Sequence, residues 1–244
     1  MTLPEALAIV AAGFAAGGVN TIVGSGSLIT FPTLLALGYP PVTANVSNTI
    51  GLVSGGVSGV IGYRRELQGQ RRRAITLACG TAAGATLGGV LLLELPSSVF
   101  DAIVPLLILL ACALMAIRRT PSEHAHEDHT AAGTAAAFAT GIYGGYFGAA
   151  QGIILMSLLR FCFPDDLQRL NALKNVLAGV ANGVAAVLFI VVAHPAWGAA
   201  ALIAAGSIVG AQAGARYGRR VPSEVLRWIV VIGGTIVAIV LIVT

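Results

Sequence analysis

Long apolar runs separated by short polar loops dominate the chain, and eight of these runs are long enough to cross a bilayer as helices. A membrane-spanning helix needs about 20 mostly apolar residues. The ten apolar runs lie at 4–23, 25–38, 43–63, 74–93, 99–117, 131–149, 151–163, 170–192, 196–215 and 225–243. Two of them, 25–38 and 151–163, are short, and each follows a break of small residues. The pattern predicts an all-α polytopic membrane protein with about eight full transmembrane helices and two short or re-entrant helices.

The small residues follow the same spacing in both halves of the chain. Without a gap, the first half aligns on the second through Gly13 with Gly141, Gly17 with Gly145, Gly24 with Gly152, Ala44 with Ala172, Gly51 with Gly179 and Gly55 with Gly183. With a slightly different offset, Gly80, Gly84, Gly88, Pro96 and Ser97 align on Gly206, Gly210, Gly214, Pro222 and Ser223. The charged residues do not repeat in this way. Two copies that pack alike and face opposite ways are typical of secondary transporters, whose substrate sites lie between the repeats.

The arginines predict the orientation of the helices. The densest basic loop, 64–73, is expected to be cytoplasmic because Lys and Arg are enriched in cytoplasmic loops. We take each short run to pair with the run before it, either by crossing the membrane fully or by meeting that run at mid-membrane. Counting the spans from loop 64–73 then places every basic cluster on the cytoplasmic side. Each half then has five segments, and because this number is odd the second half is inverted relative to the first. Both termini are then periplasmic or extracellular. We therefore expect a first repeat at 1–117, a polar cytoplasmic linker at 118–130 and an inverted second repeat at 131–244.

Composition narrows the class of protein further. Hydrophobic residues make up 57% of the chain and charged residues 10%, against about 25% charged residues in a soluble domain. The net charge is +4, but no basic stripe interleaved with aromatics is present, so nucleic acid is not an expected partner. The three cysteines show no disulfide framework.

The chain carries no pattern that predicts an enzyme. Phosphate-binding loops, nucleophile elbows, zinc-protease helices and dinucleotide fingerprints are missing from the sequence, and no catalytic residue or cofactor is predicted. The linker holds His124, His126 and His129 among acidic residues. A solvated acidic-histidine loop is favoured there over a specific metal site, because cysteine ligands are lacking.

The two breaks are the strongest candidates for a binding site. The first is Gly24-Ser25-Gly26-Ser27, and the second opens a helix at Gln151-Gly152. A break that opens a helix inside the membrane offers free backbone N–H groups and the positive end of the helix dipole, which suit an anion. The Ser25, Ser27 and Gln151 side chains could add donors. The alternative is a tight turn in which glycine supplies a positive φ.

Polar residues on the long helices extend the candidate site. Asn171, Lys174 and Asn175 share one helix face with Asn182, and intramembrane polar residues usually face a cavity or the protein interior. Lys174, the only lysine in the chain, suits a small anion, or alternatively snorkels to the interface. Asn20 lies one turn before the first break. The candidate substrate-binding residues are Asn20, Gly24, Ser25, Gly26, Ser27, Asn48, Gln151, Gly152, Asn171, Lys174 and Asn175.

These residues also carry a resemblance to a known family. The first half runs through Gly13, Gly17, Asn20, Gly24-Ser25-Gly26-Ser27-Leu28-Ile29, Pro32 and Leu34, followed by Leu37-Gly38, Pro40-Pro41 and Ala44. The second half runs through Gly141, Gly144-Gly145, Gly148, Gln151-Gly152, Asn171-Ala172 and Lys174. Together these patterns resemble the sulfite exporter TauE/SafE family of membrane permeases, over almost the whole chain. The resemblance implies a permease for small sulfur-containing anions, such as sulfite or sulfonates, in a bacterial inner membrane.

We therefore expect secondary transport of a small sulfur-containing anion by alternating access, with the anion held between the two breaks. The expected partners are that anion and the lipid bilayer, with protons as a candidate coupling ion and the oligomeric state left open. Two alternatives remain: a permease for another small solute, and a non-transporting membrane scaffold. Scarce intramembrane carboxylates argue against a hard cation as the solute, because such cations favour oxygen ligands.

Overall fold

A computed structural model describes residues 1–116 and 128–217, together with residues 228, 231, 232, 235, 236, 238 and 239. Within these residues the chain is helical and contains no strand. The helices are α1 (Leu3–Ile22), α2 (Ser27–Ala36), α3 (Pro41–Gly62), α4 (Arg71–Glu94), α5 (Ser97–Ala116), α6 (Thr130–Tyr146), α7 (Gln151–Cys162), α8 (Leu167–Val192) and α9 (Trp197–Tyr217).

Four helices in the described part of the chain, α1, α4, α8 and α9, are long and apolar enough to cross a membrane. This is fewer than the eight full spans that the sequence predicts. Helix α3 has 22 residues, but polar residues fill its first half and lower its hydropathy. Helix α6 has only 17 residues. Residues 118–127 of the linker, which include His124 and His126, and most of the run 225–243 lie outside the described residues.

Glycine faces bring the helices together in two matching pairs, α1 with α9 and α4 with α6. A Cβ added at Gly13 of α1 would lie 2.8 Å from the Ile203 carbonyl oxygen of α9. A Cβ added at Gly84 of α4 would lie 2.9 Å from the Ile142 nitrogen of α6. Small residues let helix backbones approach closely where lipid provides no hydrophobic drive to associate. The glycines of these two helix pairs therefore serve packing.

The remaining contacts link the two halves of the chain as well. Helix α3 packs on α9 and α8 packs on α4, while α3 and α8 cross each other. At that crossing a Cβ added at Gly56 would lie 3.5 Å from the Gly179 Cα. Each short helix, α2 or α7, lies beside the two helices that flank it in sequence. These pairings bring the end of α1 and the end of α6 into the same region of the molecule.

An ion-pair network holds the beginning of α8 against the beginning of α4. Asp165 pairs with Arg73 of α4, and its Oδ1 accepts from Arg169 Nε at 2.9 Å. Arg73 also pairs with Asp128 at 2.7 Å. Burial opposes ionisation of Asp165, but the hydrogen bonds and charges of Arg169 and Arg73 outweigh it and hold the pKa of this carboxyl below its ordinary value. The neighbouring Asp166 caps α8 by accepting from two backbone N–H groups.

Candidate functional site

Both breaks contain residues with positive φ. The first follows α1, with Gly24 at φ +91°, and the second follows α6, with Gly148 at φ +74° and Ala150 at φ +59°. A residue with a Cβ is strained in this region, whereas glycine is not. The alternative explanation, a turn that needs glycine, therefore holds for Gly24 and Gly148. It does not hold for Gly26, whose φ is −58°.

The two breaks touch each other through glycine. The Gly152 N–H of α7 donates to the Gly24 carbonyl oxygen at 3.1 Å. A Cβ added at either glycine would lie 2.5 Å from the Cα of the other. Since such an approach is open only to residues without a side chain, this contact requires glycine at both position 24 and position 152. We call this contact and the residues around it the junction: Asn20, Gly24, Ser25, Gly26, Ser27, Gln151 and Gly152.

Two buried polar side chains at the junction have no hydrogen-bond partner among the described residues. They are Ser25, whose Oγ is unpaired, and Gln151, whose Nε2 is unpaired; the residues are 1% and 3% exposed. A buried polar group without a partner costs about 1–3 kcal/mol, and most native groups of this kind are paired. The junction thus presents two unused donors next to the point where the breaks meet.

Most of the backbone donors at the start of α7 are already used. The N–H groups of Gln151 and Ile153 donate within the break, to Gly148 and Ala150. The Gly152 N–H is taken by the Gly24 carbonyl. The Gly24 carbonyl oxygen of the first break therefore occupies the position at the N-terminus of α7 that another hydrogen-bond acceptor would otherwise take.

The polar face of α8 binds the broken end of α1. The Lys174 ammonium donates to the carbonyl oxygens of Asn20 at 3.1 Å and Thr21 at 3.4 Å. The amides of Asn171 and Asn175 donate to Thr21 as well, at 3.2 and 3.3 Å. A cation at the C-terminal end of a helix is stabilised by the helix dipole. Lys174 is 0% exposed, so it does not snorkel to the interface.

Helix α3 plays the matching part for the other break. Asn45 Nδ2 donates to the Tyr146 carbonyl oxygen, the last of α6, at 3.0 Å. Asn45 is not among the candidate residues predicted from the sequence, although it lies on the same face as Asn48, one turn away. Each broken helix is thus capped by a polar residue from the other half of the chain.

Asn48 fixes the short helix α2 against α3. Its Oδ1 accepts from the Thr30 hydroxyl, and its Nδ2 donates to the Ser27 Oγ at 3.2 Å. Asn20 lies against the first break, where its Oδ1 accepts from the Gly26 N–H at 3.5 Å. The structure therefore brings all eleven candidate residues into one region. In this conformation Asn48, Asn171, Lys174 and Asn175 hold helices in place, while Ser25 and Gln151 keep free donors.

The charge of this region comes from one group. None of the eleven residues is acidic, so Lys174 gives the region a single formal positive charge. An ammonium carries three N–H donors, and the two contacts to α1 leave one of them. The described residues contain no cluster of His, Cys, Asp and Glu that could hold a metal ion. Such an arrangement can bind a small anion through hydrogen bonds and one charge.

The chain is similar to proteins named as probable membrane transporters. The family model for the sulfite exporter TauE/SafE matches residues 9–241. A probable membrane transporter protein, ORF9 of Sinorhizobium sp, is 26% identical over 233 residues, which cover 93% of this chain and 88% of that protein. A probable membrane transporter protein of Haemophilus influenzae is 27% identical over 207 residues, covering 84% and 81%. The probable membrane transporter protein YfcA of Escherichia coli is 26% identical over 209 residues, covering 82% and 76%. No solved structure matches.

Proposed function

The chain belongs to the sulfite exporter TauE/SafE family of membrane transporters, and from this premise we propose that it is a secondary transporter of small sulfur-containing anions such as sulfite or sulfonates. The observation that carries the proposal is the junction. There, two helix breaks meet beside two buried donors without partners, Ser25 Oγ and Gln151 Nε2, and beside the ammonium of Lys174.

In the proposed complex the anion takes over the role that Gly24 plays here. One of its oxygens replaces the Gly24 carbonyl as the acceptor of the Gly152 N–H, and others accept from Ser25 and Gln151. Charge-assisted hydrogen bonds of this kind are about twice as strong as neutral ones. The third N–H of Lys174 supplies the countercharge. Anion binding would then separate the two breaks, so that occupancy of the junction is coupled to movement of the helices.

The movement we propose is alternating access between two inverted repeats. The matching pairs α1 with α9 and α4 with α6 support this proposal, because each pair joins a break-bearing helix of one half to a glycine-rich helix of the other. The full protein would have about eight spans, with both termini on the periplasmic or extracellular side of a bacterial inner membrane. The arginine-rich loop 64–73 would be cytoplasmic.

Protons are the coupling ion we propose. The junction holds no carboxylate, so a proton would enter with the anion itself or through Lys174. A conjugate acid such as bisulfite carries its own proton, which makes symport possible without an acidic side chain at the site.

Ligand-induced stabilisation of the purified protein tests the proposed solute class. A ligand at about 100 times its Kd stabilises the folded state by about 2.7 kcal/mol. We expect sulfite or sulfoacetate to raise the melting temperature of the wild type, and Gln151→Leu to reduce the shift. Chloride and choline serve as controls for ionic strength. Stabilisation by a cation or a neutral metabolite, with none by a sulfur anion, would contradict the proposed solute.

A further inference from the structure

The polar face of α8 continues beyond the cap of α1 to Asn182, which the junction does not use. Asn182 lies two helical turns beyond Asn175 and therefore on the same face. It is half-buried, and it has no hydrogen-bond partner within the part of the chain that the structure describes. A Cβ added at Gly148 would lie 3.8 Å from its Oδ1. A polar side chain with unused hydrogen-bonding capacity thus lies beside the second break.

Open space adjoins this side chain. A Cβ added at Gly179 or at Gly183 would meet nothing within 4 Å. Gly179 faces the interior, because it follows Asn175 by one turn and its Cα lies close to Gly56 of α3. Gly179 thus lies near α3, and Gln151, which is buried and has an unpaired amide nitrogen, lies on the second break.

The corresponding face of α3 is closed. Gly51 and Gly55 are the counterparts of Gly179 and Gly183, and α9 fills the space at both. Added Cβ atoms there would lie 2.7 Å from the Cβ of Ile203 and from the Oγ of Ser207, respectively. Ser54, the counterpart of Asn182, donates to the Ala204 carbonyl of α9 at 3.4 Å. The face of α3 from Gly51 to Gly55 thus packs against α9, whereas the corresponding face of α8 from Gly179 to Gly183 adjoins open space.

We propose that the face of α8 from Gly179 to Gly183 lines the route by which the solute reaches the junction, and that Asn182 contacts the solute on this route. The inference rests on the proposed function for the identity of the solute. The Asn182 amide offers two N–H donors, and the ammonium of Lys174 lies at the inner end of the same face. Helix α8 carries no Asp or Glu. The route therefore favours an anion.

Cysteine accessibility tests the route without depending on transport. In a background with Cys79, Cys112 and Cys162 replaced by alanine, Asn182→Cys would be treated with two water-soluble methanethiosulfonates. One carries a sulfonatoethyl group and the other a trimethylammonium-ethyl group. Ser54→Cys is the matched control, and Gly179→Cys is a second variant at a position with room for the side chain. Each variant would be checked for an unchanged melting temperature.

We expect Asn182→Cys to react about tenfold faster than Ser54→Cys, because the Ser54 side chain lies against the Ala204 carbonyl of α9, whereas open space adjoins Asn182. We also expect the anionic reagent to react faster than the cationic one. Equal rates at Asn182→Cys and Ser54→Cys, with Gly179→Cys equally slow, would overturn the route.

Protection separates the route from the proposed solute. If the wild type transports sulfoacetate, sulfoacetate should slow the modification of Asn182→Cys, and unchanged labelling would overturn the contact. If the wild type transports no sulfur anion but Asn182→Cys still labels preferentially, the route stands and the proposed solute is wrong.

Discussion

The contact between the two breaks predicts that Gly152 cannot accept even a methyl group. The added Cβ of Gly152→Ala would lie 2.5 Å from the Gly24 Cα and 2.9 Å from its carbonyl oxygen. Real Cβ atoms essentially never lie within 3.0 Å of other heavy atoms, so both distances are too short. Helix α7 must therefore move away from the first break, and the 3.1 Å hydrogen bond from Gly152 to Gly24 must lengthen.

The magnitude follows from opposing effects. Overpacking of this kind costs about 1–3 kcal/mol, and loss of the hydrogen bond costs about 1 kcal/mol. The higher helix propensity of alanine returns up to about 1 kcal/mol. We expect Gly152→Ala to lower the free energy of unfolding by about 1–3 kcal/mol. Gly179→Ala is the matched control, since its Cβ meets nothing within 4 Å and only the propensity gain of about 1 kcal/mol remains.

The assay is unfolding of both variants in detergent, followed by far-ultraviolet circular dichroism during titration with sodium dodecyl sulfate. Gly179→Ala should be as stable as the wild type or more stable, and Gly152→Ala should be less stable than both. If Gly152→Ala were as stable as Gly179→Ala, the two breaks would not be in contact, and the junction would not exist as described.

Two further predictions concern the residues that hold the helices in place. Asp165→Asn should destabilise the protein at pH 7, because the folded-state pKa of Asp165 lies below its ordinary value. The ionised carboxylate therefore stabilises the folded protein above the unfolded-state pKa of about 3.9, and this contribution is lost as the pH falls through the folded-state pKa. Melting curves of wild type and variant should therefore converge on acidification, and a constant difference down to the lowest pH would contradict the ion pairing with Arg73 and Arg169. Asn45→Leu should lower the free energy of unfolding by about 1 kcal/mol, because the Tyr146 carbonyl at the end of α6 loses its hydrogen-bond donor. An unchanged unfolding midpoint would show that this cap does not contribute to stability.

Much of the helical architecture was predictable because a bilayer demands long apolar runs. The short runs at 25–38 and 151–163 correspond to α2 and α7 within a few residues. The end of α6 differs from the end of its apolar run. The run continues to residue 149, but the helix ends at Tyr146 because the backbone turns at Gly148 and Ala150. Alanine with positive φ has no signal in sequence, since it is imposed by the surrounding structure.

The candidate site was predictable as a set of residues but not as a set of contacts. Periodicity places Asn171, Lys174 and Asn175 on one face of α8. It does not show that this face caps α1, because that depends on how two helices distant in sequence pack. For the same reason the direct contact of Gly24 with Gly152 could not be derived from the repeat, which aligns these two residues without placing them together.

The central claim, transport of a small sulfur-containing anion through the junction, is tested most directly by flux into proteoliposomes. Sulfite, thiosulfate, sulfoacetate, sulfate and chloride would be compared with and without a proton gradient, for the wild type and Lys174→Ala. The account predicts saturable flux of at least one sulfur anion by the wild type, and its loss in Lys174→Ala, which removes both the countercharge and a cap of α1. Folded wild-type protein that carries none of these anions above empty liposomes would contradict the claim.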